Sequence, residues 1–295
     1  MTNISAGKRF RQAVKEALAA GAPLHVIGVA DGSDALEAEK AGFKAIYISG
    51  SQVAASRGWA DIGRIELRHV AEHVQRILDS GTRLPVLVDI DTGFDDVAET
   101  VRTLEKTGVA AVHIEDQQDL KACGHLPGKH VVSQEEATAR VKGAVAAKKD
   151  PDFVVMARTD ALAVEGMEKT LMRIASYAAA GADMIFAEAF PDAAAYAQVK
   201  KSAQGRPVLA NMTEFGKVAL KTPREIARET GGAVDIVLNP LTVYRGQRQT
   251  AAKMYQEIHA QGTQRGMEPQ LQKREDFQQL IDYPGQVAER VRQLA

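Results

Sequence analysis

Two aspartates at the end of an apolar run are the first candidates for chemistry. Residues 86–93 read Val-Leu-Val-Asp-Ile-Asp-Thr-Gly, and in an extended backbone Asp89 and Asp91 would point the same way because side chains alternate. Two carboxylates at one place repel each other unless a cation or a proton lies between them. Mg²⁺ prefers hard oxygen ligands and is commonly held by one or two carboxylates plus water. The pair therefore predicts a Mg²⁺ site, which Mn²⁺ could also occupy.

A histidine, a glutamate and an arginine end two further apolar runs. His113 and Glu115 share one face by the same alternation, and His113 is either a substrate contact or a hydrogen-bonded core histidine. Glu115 could hold water in the shell of the metal or orient a neighbour. Arg158 ends the run 153–158, where a guanidinium is costly to bury without an anion. A substrate carboxylate or Glu188 would satisfy it, and the guanidinium fork suits two-point recognition.

The only cysteine, Cys123, lies in the stretch 117–132, which lacks periodicity and is typical of a lid or a disordered loop. Lys121 and His125 flank it and would lower the pKa of the thiol from about 8.5. Buried structural cysteines are commoner than catalytic ones, but these polar neighbours favour a thiol that transfers protons. A single cysteine also excludes an intrachain disulfide and fits a reducing compartment.

A repeated phrase predicts how these side chains are positioned. Each copy has a helix end, a glycine suited to the left-handed C′ position, a short apolar strand and a polar residue, and the copies are 40–49, 106–115, 179–188 and 229–239. Eight such strands alternating with helices predict an α/β fold, a (β/α)8 TIM-type barrel. An open doubly wound sheet is the alternative, but no glycine-rich phosphate loop follows the first strand. The predicted strands are 24–30, 44–49, 85–89, 109–114, 153–158, 183–188, 207–211 and 234–239.

Local signals also predict two helices and an extension. The stretch 97–105 is amphipathic, and Ser133 with Glu136 forms the pattern of a helix-starting capping box. Residues from Tyr244 onward read as extra helices. We therefore expect one barrel domain over 1–295, with 245–295 as a C-terminal helical extension.

The carboxyl ends of barrel strands meet at one mouth, where barrel enzymes have their active sites. Packing alone does not need many polar groups there. Some of them could instead cap the following helices, and for Asp160 and Asn239 that alternative is equally good. The polar residues at the predicted strand ends are Asp31, Ser49, Asp89, Asp91, His113, Glu115, Arg158, Asp160, Glu188, Asn211, Thr213 and Asn239.

The bulk composition excludes several kinds of partner. The 295 residues carry a net charge of -1, which gives no attraction toward nucleic acid or acidic membranes. No apolar stretch approaches the length of about 20 residues needed to cross a bilayer. We expect a cytoplasmic protein that acts on a small molecule.

These motifs resemble the isocitrate lyase/phosphoenolpyruvate mutase superfamily, and within it the branch that cleaves 2-methylisocitrate. The resemblance runs over essentially the whole chain. The Cys-Gly-His segment is its specific part, because it separates the carbon–carbon lyases from the mutase and hydrolase branches. The matching stretches are 45–50, 87–94, 113–117, 123–125 with 132–133, 151–166, 211–216 and 261–264.

The resemblance implies roles for the site residues. Asp89 and Asp91 would hold Mg²⁺ partly through water, Glu115 would complete the polar surround of the metal, and Cys123 would be the acid on the lid. The substrate contacts would be Ser49, Gly50 and Arg158 on the pyruvate-forming half, Glu188, Asn211 and Thr213 on the succinate half, and Ser51, Asp61, Lys121, Gly124, His125 and Phe186 around them.

The implied reaction breaks the C2–C3 bond of a 2-hydroxytricarboxylate to give pyruvate and succinate, a step of propionate catabolism. It requires loss of the hydroxyl proton, with Tyr47 or a metal-linked carboxylate as the base and His113 nearby, and protonation of the carbanion by Cys123. Phe186 fits the methylisocitrate branch, since the isocitrate enzymes tend to carry a bulkier aromatic group there. The resemblance further implies a homotetramer whose last helix crosses to a neighbouring subunit.

Several residues depart from the pattern of this family around the pocket. They are Ser51, Gln52, Trp59, Ala60 and Ala122, although Trp59 could be simple packing. The same chemistry on 2,3-dimethylmalate or isocitrate therefore stays an alternative. Phosphonate or oxaloacetate chemistry would leave the Cys-Gly-His segment without a task. A non-catalytic barrel that binds a dicarboxylate is the alternative from another class.

Overall fold

Eight parallel strands close into a barrel in the computed structural model of the chain, which describes residues 4–118, 129–216 and 218–294. They pair in chain order, and the last strand pairs with the first, so the predicted barrel is confirmed and the open sheet is excluded. The strands are β1 Leu24–Gly28, β2 Ile46–Ile48, β3 Val86–Asp89, β4 Ala111–Glu115, β5 Val154–Thr159, β6 Met184–Ala187, β7 Val208–Asn211 and β8 Ile236–Asn239.

One helix precedes the first strand, helices follow each strand, and further helices continue beyond the last one. They are α1 Ala6–Ala19, α2 Gly32–Lys40, α3 Gly50–Ser56, α4 Leu67–Leu78, α5 Val97–Thr107, α6 Gln134–Ala147, α7 Leu162–Ala179, α8 Ala193–Ser202, α9 Pro223–Thr230, α10 Thr242–Gln261, α11 Arg274–Leu280 and α12 Tyr283–Leu294, with a 3₁₀ helix at Arg265–Gln270.

The glycines of the repeated phrase take the left-handed backbone conformation that the sequence predicted. Gly108 ends α5 with φ 101°, and Gly42, Gly181 and Gly231 also have positive φ. A residue with a Cβ would be strained there, so glycine allows each helix to stop and the chain to turn directly into the next strand.

Only one of the two hydrogen bonds of the predicted capping box forms at the start of α6. The Ser133 hydroxyl accepts a hydrogen bond from the Glu136 backbone N–H at 3.1 Å. The Glu136 carboxylate pairs instead with Arg140 at 2.7 Å, one turn further along the helix. The serine cap alone therefore satisfies one of the free N–H groups of the first turn.

The interior of the barrel is filled by apolar side chains and closed at its amino-terminal end by α1. Phe10 and Val14 of α1 pack with inward-facing strand residues such as Leu24 and Leu209. Gly7 permits this close approach, because a Cβ there would lie 2.3 Å from the Asp152 carbonyl oxygen. A second core lies between the strands and the outer helices. Among the described residues, the carboxyl ends of the strands instead line a cavity.

The extension formed by α10, α11 and α12 packs differently from the barrel helices. None of these three helices has a buried residue, although all of them carry apolar side chains. On α12 the exposed apolar residues are Tyr283, Val287, Val291 and Leu294. None of the helices in the described ranges has the length and apolar character required to cross a membrane.

Candidate active site

Six of the polar residues predicted at strand ends line a cavity of about 90 Å³ at the carboxyl mouth of the barrel, whereas Asp31 caps α2 by accepting the Asp34 N–H at 3.0 Å. Most of the predicted site residues that the structure describes line this cavity. Gly50, Asp91, His113 and Glu115 do not line it but are buried and contact residues that do. The lining residues are Tyr47, Ser49, Ser51, Asp61, Asp89, Arg158, Phe186, Glu188, Asn211, Thr213, Pro240, Leu241 and Arg245.

Asp89 and Asp91 direct oxygens toward the same small space over Gly50. The Asp89 carboxylate accepts hydrogen bonds from the Gly50 N–H at 3.1 Å and the Asp91 N–H at 3.0 Å. A Cβ added to Gly50 would lie 3.0 Å from Asp91 Oδ1 and 3.1 Å from Asp89 Oδ2. Glycine thus leaves open a cradle lined by two carboxylates, and its hard oxygen donors fit Mg²⁺.

The reason for this convergence differs from the one predicted. Strand β3 ends at Asp89, and Asp91 lies in the following turn with φ 48°. Strand alternation therefore does not align the pair; a left-handed turn does. Ala189 and Phe215, which follow other strand ends at the mouth, also have positive φ. Such backbone strain in non-glycine residues concentrates at functional sites.

Tyr47 and His113 form a buried pair beside this cradle. The Tyr47 hydroxyl and His113 Nε2 are joined by a hydrogen bond of 3.0 Å. His113 Nδ1 lies 3.7 Å from Asp89 Oδ1, and the ring packs against Phe186 with 5.0 Å between centroids. Tyr47 faces the cavity and His113 stands behind it, so the histidine is positioned to act through the tyrosine.

Arg158 has acidic partners, but the main one is Asp160 rather than the predicted Glu188. Its Nε donates to Asp160 at 2.8 Å and its Nη2 donates to the same carboxylate at 3.2 Å. Glu115 lies 3.4 Å and Glu188 lies 3.9 Å from the guanidinium. Burial opposes the charge, but the carboxylates of Asp160, Glu115 and Glu188 raise the pKa of Arg158 well above its ordinary value.

Asp160 is an ion-pair partner rather than the helix cap that was its alternative. Helix α7 is preceded by Ala161 at its N-cap, while the Asp160 carboxylate also contacts the Lys129 ammonium at 3.2 Å. Burial would raise the pKa of Asp160, but Arg158 and Lys129 outweigh it and lower that pKa. Asp160 therefore stays ionised between two cations.

A buried network behind Arg158 was missed by sequence reasoning. The Asp116 carboxylate accepts hydrogen bonds from the Thr159 hydroxyl at 2.7 Å, the Asp160 N–H at 2.9 Å and the Tyr177 hydroxyl at 2.9 Å. Burial, with the charge of Asp160, raises the pKa of Asp116. The available signal was a second acidic residue directly after Glu115, but its partners lie far away in sequence.

Two amides hold the far side of the mouth together. Asn211 Nδ2 donates to Glu188 at 3.2 Å, which ties the ends of β6 and β7. Asn239 Nδ2 donates to the Met212 carbonyl at 2.9 Å, and Asn239 Oδ1 lies 2.5 Å from His25 Nε2. Asn239 therefore links neighbouring strands and does not cap α10, whose N-cap is Leu241.

Buried negative charge exceeds buried positive charge among the described residues of the mouth. The carboxylates are those of Asp89, Asp91, Glu115, Asp160 and Glu188, and the cations are Arg158 and Lys129. Within the described residues no group of three or more His, Cys, Asp or Glu forms a metal cage. Two carboxylates with water are enough for Mg²⁺, and a divalent cation would reduce the charge imbalance.

The remaining predicted residues are placed as follows. Asp61 lines the cavity, as expected for a residue at the mouth. Trp59 packs on the His69 ring at 5.2 Å and under the Arg64 guanidinium at 4.3 Å, which matches the simple-packing interpretation. Pro240, Leu241 and Arg245 line the cavity without having been predicted, because they follow the last strand end. Lys121, Cys123, Gly124 and His125 lie outside the described residues.

This fold and site define a class: a (β/α)8 barrel with a two-aspartate cradle and a buried arginine at its carboxyl mouth. Residues 14–231 match the family described as phosphoenolpyruvate phosphomutase. The chain belongs to this family, the phosphoenolpyruvate mutase/isocitrate lyase superfamily, as its motifs predicted.

Individual members of this superfamily are similar to the chain over nearly its full length. The chain is 47% identical to a 2-methylisocitrate lyase of Shewanella oneidensis, covering 95% of this chain and 94% of that protein. It is 44% identical to the 2-methylisocitrate lyase of Salmonella typhimurium over 92% of each. A crystal structure of 2,3-dimethylmalate lyase superposes with a TM-score of 0.85 at 30% identity, covering 98% of this chain and 96% of that one.

Proposed function

We propose that this chain is a Mg²⁺-dependent carbon–carbon lyase that cleaves 2-methylisocitrate to pyruvate and succinate. The convergence of the Asp89 and Asp91 oxygens over Gly50, in one mouth with Arg158, carries the proposal. Relatives named 2-methylisocitrate lyase at 47% and 44% identity support this substrate over other 2-hydroxy acids.

Asp89 and Asp91 would hold the metal, in part through water, and Mn²⁺ could replace it. When bound, Mg²⁺ supplies a Lewis acid that polarises the hydroxyl and carboxylate oxygens of the substrate. Arg158, with Ser49 and Gly50, orients the carboxylate of the half that becomes pyruvate. The Asp160 carboxylate holds Nε and Nη2, so this contact sets the plane in which the guanidinium meets a substrate carboxylate.

The opposite half of the substrate faces Glu188, Asn211 and Thr213, which line the same cavity. The Asn211 amide holds Glu188 in place at 3.2 Å, and this half becomes succinate. Phe186, which also lines the cavity, bounds the space beside the substrate's C2 methyl group. The remaining substrate contacts that we propose are Ser51, Asp61, Lys121, Gly124 and His125.

Proton transfer at the hydroxyl is assigned to the Tyr47–His113 pair. Tyr47 reaches the cavity, and its 3.0 Å hydrogen bond to His113 Nε2 gives the tyrosine a partner for its proton. Glu115 lies 3.4 Å from Arg158 and helps to hold the guanidinium in place. It also completes the polar surround of the metal. Loss of the hydroxyl proton turns C2 into the ketone of pyruvate as the C2–C3 bond breaks. Cys123 donates the proton that C3 takes up to form succinate.

The proposal includes an assembly and a location. The extension α10–α12 exposes apolar side chains on helices that bury nothing in the single chain. We assign it to subunit contacts in a cytoplasmic homotetramer in which the C-terminal helix crosses to a neighbour. No nucleic acid or membrane partner is part of this proposal.

The test is a pyruvate-release assay with 2-methylisocitrate, isocitrate and 2,3-dimethylmalate, each with Mg²⁺ and then with excess EDTA. We expect release from 2-methylisocitrate that stops on chelation. Activity confined to another hydroxy acid would keep the chemistry and reject the substrate. No pyruvate release from any of the three substrates would reject the lyase and favour a dicarboxylate-binding barrel.

A further inference from the structure

We propose that Lys129 is a positioning residue that keeps the positive charge of Arg158 available to a substrate carboxylate by neutralising Asp160. The inference rests on the proposed function, since it assumes that Arg158 binds a carboxylate. It adds to the site a residue that does not line the cavity.

The geometry of Asp160 makes this role necessary. Its carboxylate accepts hydrogen bonds from Arg158 Nε at 2.8 Å and from Nη2 at 3.2 Å. This two-point contact matches the geometry of a guanidinium. That contact fixes the plane of the guanidinium and aims Nη1 toward the site, where Glu115 lies 3.4 Å away. By itself, however, it would also cancel the charge of the arginine.

Lys129 restores that charge. Its ammonium lies 3.2 Å from Asp160 Oδ1, and its side chain is only 4% exposed. Lys129 and Arg158 bring two formal positive charges to the single carboxylate of Asp160, which leaves one positive charge to set against Glu115 and Glu188, 3.4 Å and 3.9 Å from the guanidinium. In a buried site that charge is weakly screened, so a substrate carboxylate feels it strongly.

The backbone holds Lys129 and Asp160 in register through one residue. The Asp116 carbonyl accepts the Val132 N–H at 2.9 Å, and the Asp116 carboxylate accepts the Asp160 N–H at 2.9 Å. The segment that carries Lys129 is also joined to the chain just after β4, because the Gln118 N–H donates to the His130 carbonyl at 3.0 Å. Asp116 thus ties the chain just after Lys129 and the backbone of Asp160 to the same residue.

A purely structural role explains this arrangement less well. Removing two charges from water is expensive, and a buried ion pair is often no more stabilising than apolar side chains of similar volume. The Lys148–Asp183 pair, 2.8 Å apart, is an ordinary structural ion pair. Both side chains are partly exposed, and they lie away from the cavity. It therefore supplies a matched control.

The experiment compares steady-state kinetics of Lys129→Met, Lys129→Arg, Asp160→Asn and the double variant Lys129→Met/Asp160→Asn with the wild-type enzyme. We expect Lys129→Met to raise KM for 2-methylisocitrate at least about tenfold, with a smaller change in kcat. Lys129→Arg should restore KM to near the wild-type value. Since Asp160→Asn removes the anion that Lys129 offsets, the double variant should have a lower KM than Lys129→Met.

Controls separate this role from folding. Lys148→Met should leave KM and kcat unchanged, and thermal melts would identify any variant that fails to fold. If Lys129→Met does not fold, Lys129→Gln, which keeps a hydrogen-bond donor without charge, replaces it. An unchanged KM in the folded variant, or a double variant that binds worse than Lys129→Met, would overturn the proposal.

A binding readout keeps this test independent of the proposed reaction. Oxalate, a small dicarboxylate, is titrated by calorimetry in the presence of Mg²⁺ into the wild-type protein and into each variant. Weaker oxalate binding in Lys129→Met and its recovery in the double variant support the inference even if 2-methylisocitrate is not cleaved. Equal oxalate affinity in Lys129→Met and wild type contradicts it.

Discussion

The Asp91 carboxylate reaches the cradle over Gly50 because its backbone takes φ 48°, which most residues with a Cβ avoid. Asp89 holds this turn by accepting the Asp91 N–H at 3.0 Å. One aspartate therefore shapes the backbone of the other. The strain is retained at the place where two acidic oxygens must meet, as expected for a site that binds a cation.

The first prediction concerns this aspartate. Asp91→Asn keeps the shape and the turn but removes one negative charge from the cradle. We expect kcat for 2-methylisocitrate to fall at least about 100-fold, because the Lewis acid lowers the activation barrier by several kcal/mol. Direct binding of Mn²⁺, followed by electron paramagnetic resonance, should weaken in parallel.

Asp95→Asn is the control for Asp91→Asn, since Asp95 is exposed and lies four residues further along the same loop. It should bind Mn²⁺ like the wild-type protein. Wild-type Mn²⁺ affinity in Asp91→Asn, or full activity of the native enzyme in EDTA, would remove the metal from the cradle.

The second prediction concerns the residue that bounds the substrate's methyl group. Phe186 packs between the His113 ring and the Arg158 guanidinium, 5.0 Å and 5.1 Å from its centroid. Phe186→Trp should fill the space of the methyl group and lower the ratio of kcat/KM for 2-methylisocitrate over isocitrate at least about tenfold. The ratio is the measured quantity, so a general loss of activity does not imitate the effect.

Phe186→Leu supplies the comparison, because it removes bulk at the same place. The methylated substrate should keep its advantage in that variant. If the two substrates respond equally to Phe186→Trp, the specificity argument fails.

At the scale of elements, the strands and turns of the barrel could be predicted from local signals. Gly108 stops α5, and apolar runs with polar ends mark the strands to within about two residues, because these signals lie within a few positions of the feature they specify. The Asp116–Tyr177 and Lys129–Asp160 contacts could not be predicted. They join residues 61 and 31 positions apart, and only the closed barrel brings them together.

The third prediction concerns α4. His73 is buried on this helix, and burial, with the nearby charges of Arg76 and Arg57, lowers its pKa from 6.5 to about 4. The folded state therefore holds His73 neutral, while the unfolded chain binds a proton below pH 6.5. The stability that this contributes is complete above the unfolded pKa and is lost as the pH falls toward the folded one.

Urea unfolding at pH 7 and at pH 5 measures this effect. Between pH 7 and pH 5, the free energy of unfolding of the wild-type protein should fall by about 2 kcal/mol more than that of His73→Gln. The difference between the two proteins isolates His73 from other groups that titrate in this range. Parallel losses would show that His73 is not held neutral by the fold.

At the scale of the whole molecule, we propose that the exposed apolar residues of α12 meet a partner surface. Tyr283, Val287, Val291 and Leu294 recur at helical spacing, so they share one face. We predict that sedimentation equilibrium finds a tetramer and that Val287→Asp/Val291→Asp shifts it toward smaller species. Ala288→Asp, which adds a charge off this face, should leave the assembly intact. A wild-type monomer at all concentrations would reject the subunit-contact role of the extension.

The central claim is that the mouth of this barrel breaks a carbon–carbon bond and delivers one proton to the carbanion. Proton NMR of the products formed from 2-methylisocitrate with Mg²⁺ in D2O tests it most directly. We predict pyruvate and succinate in equal amounts, with a single deuterium in each succinate at the former C3. Unchanged substrate, or pyruvate without an equal amount of deuterated succinate, would contradict the account.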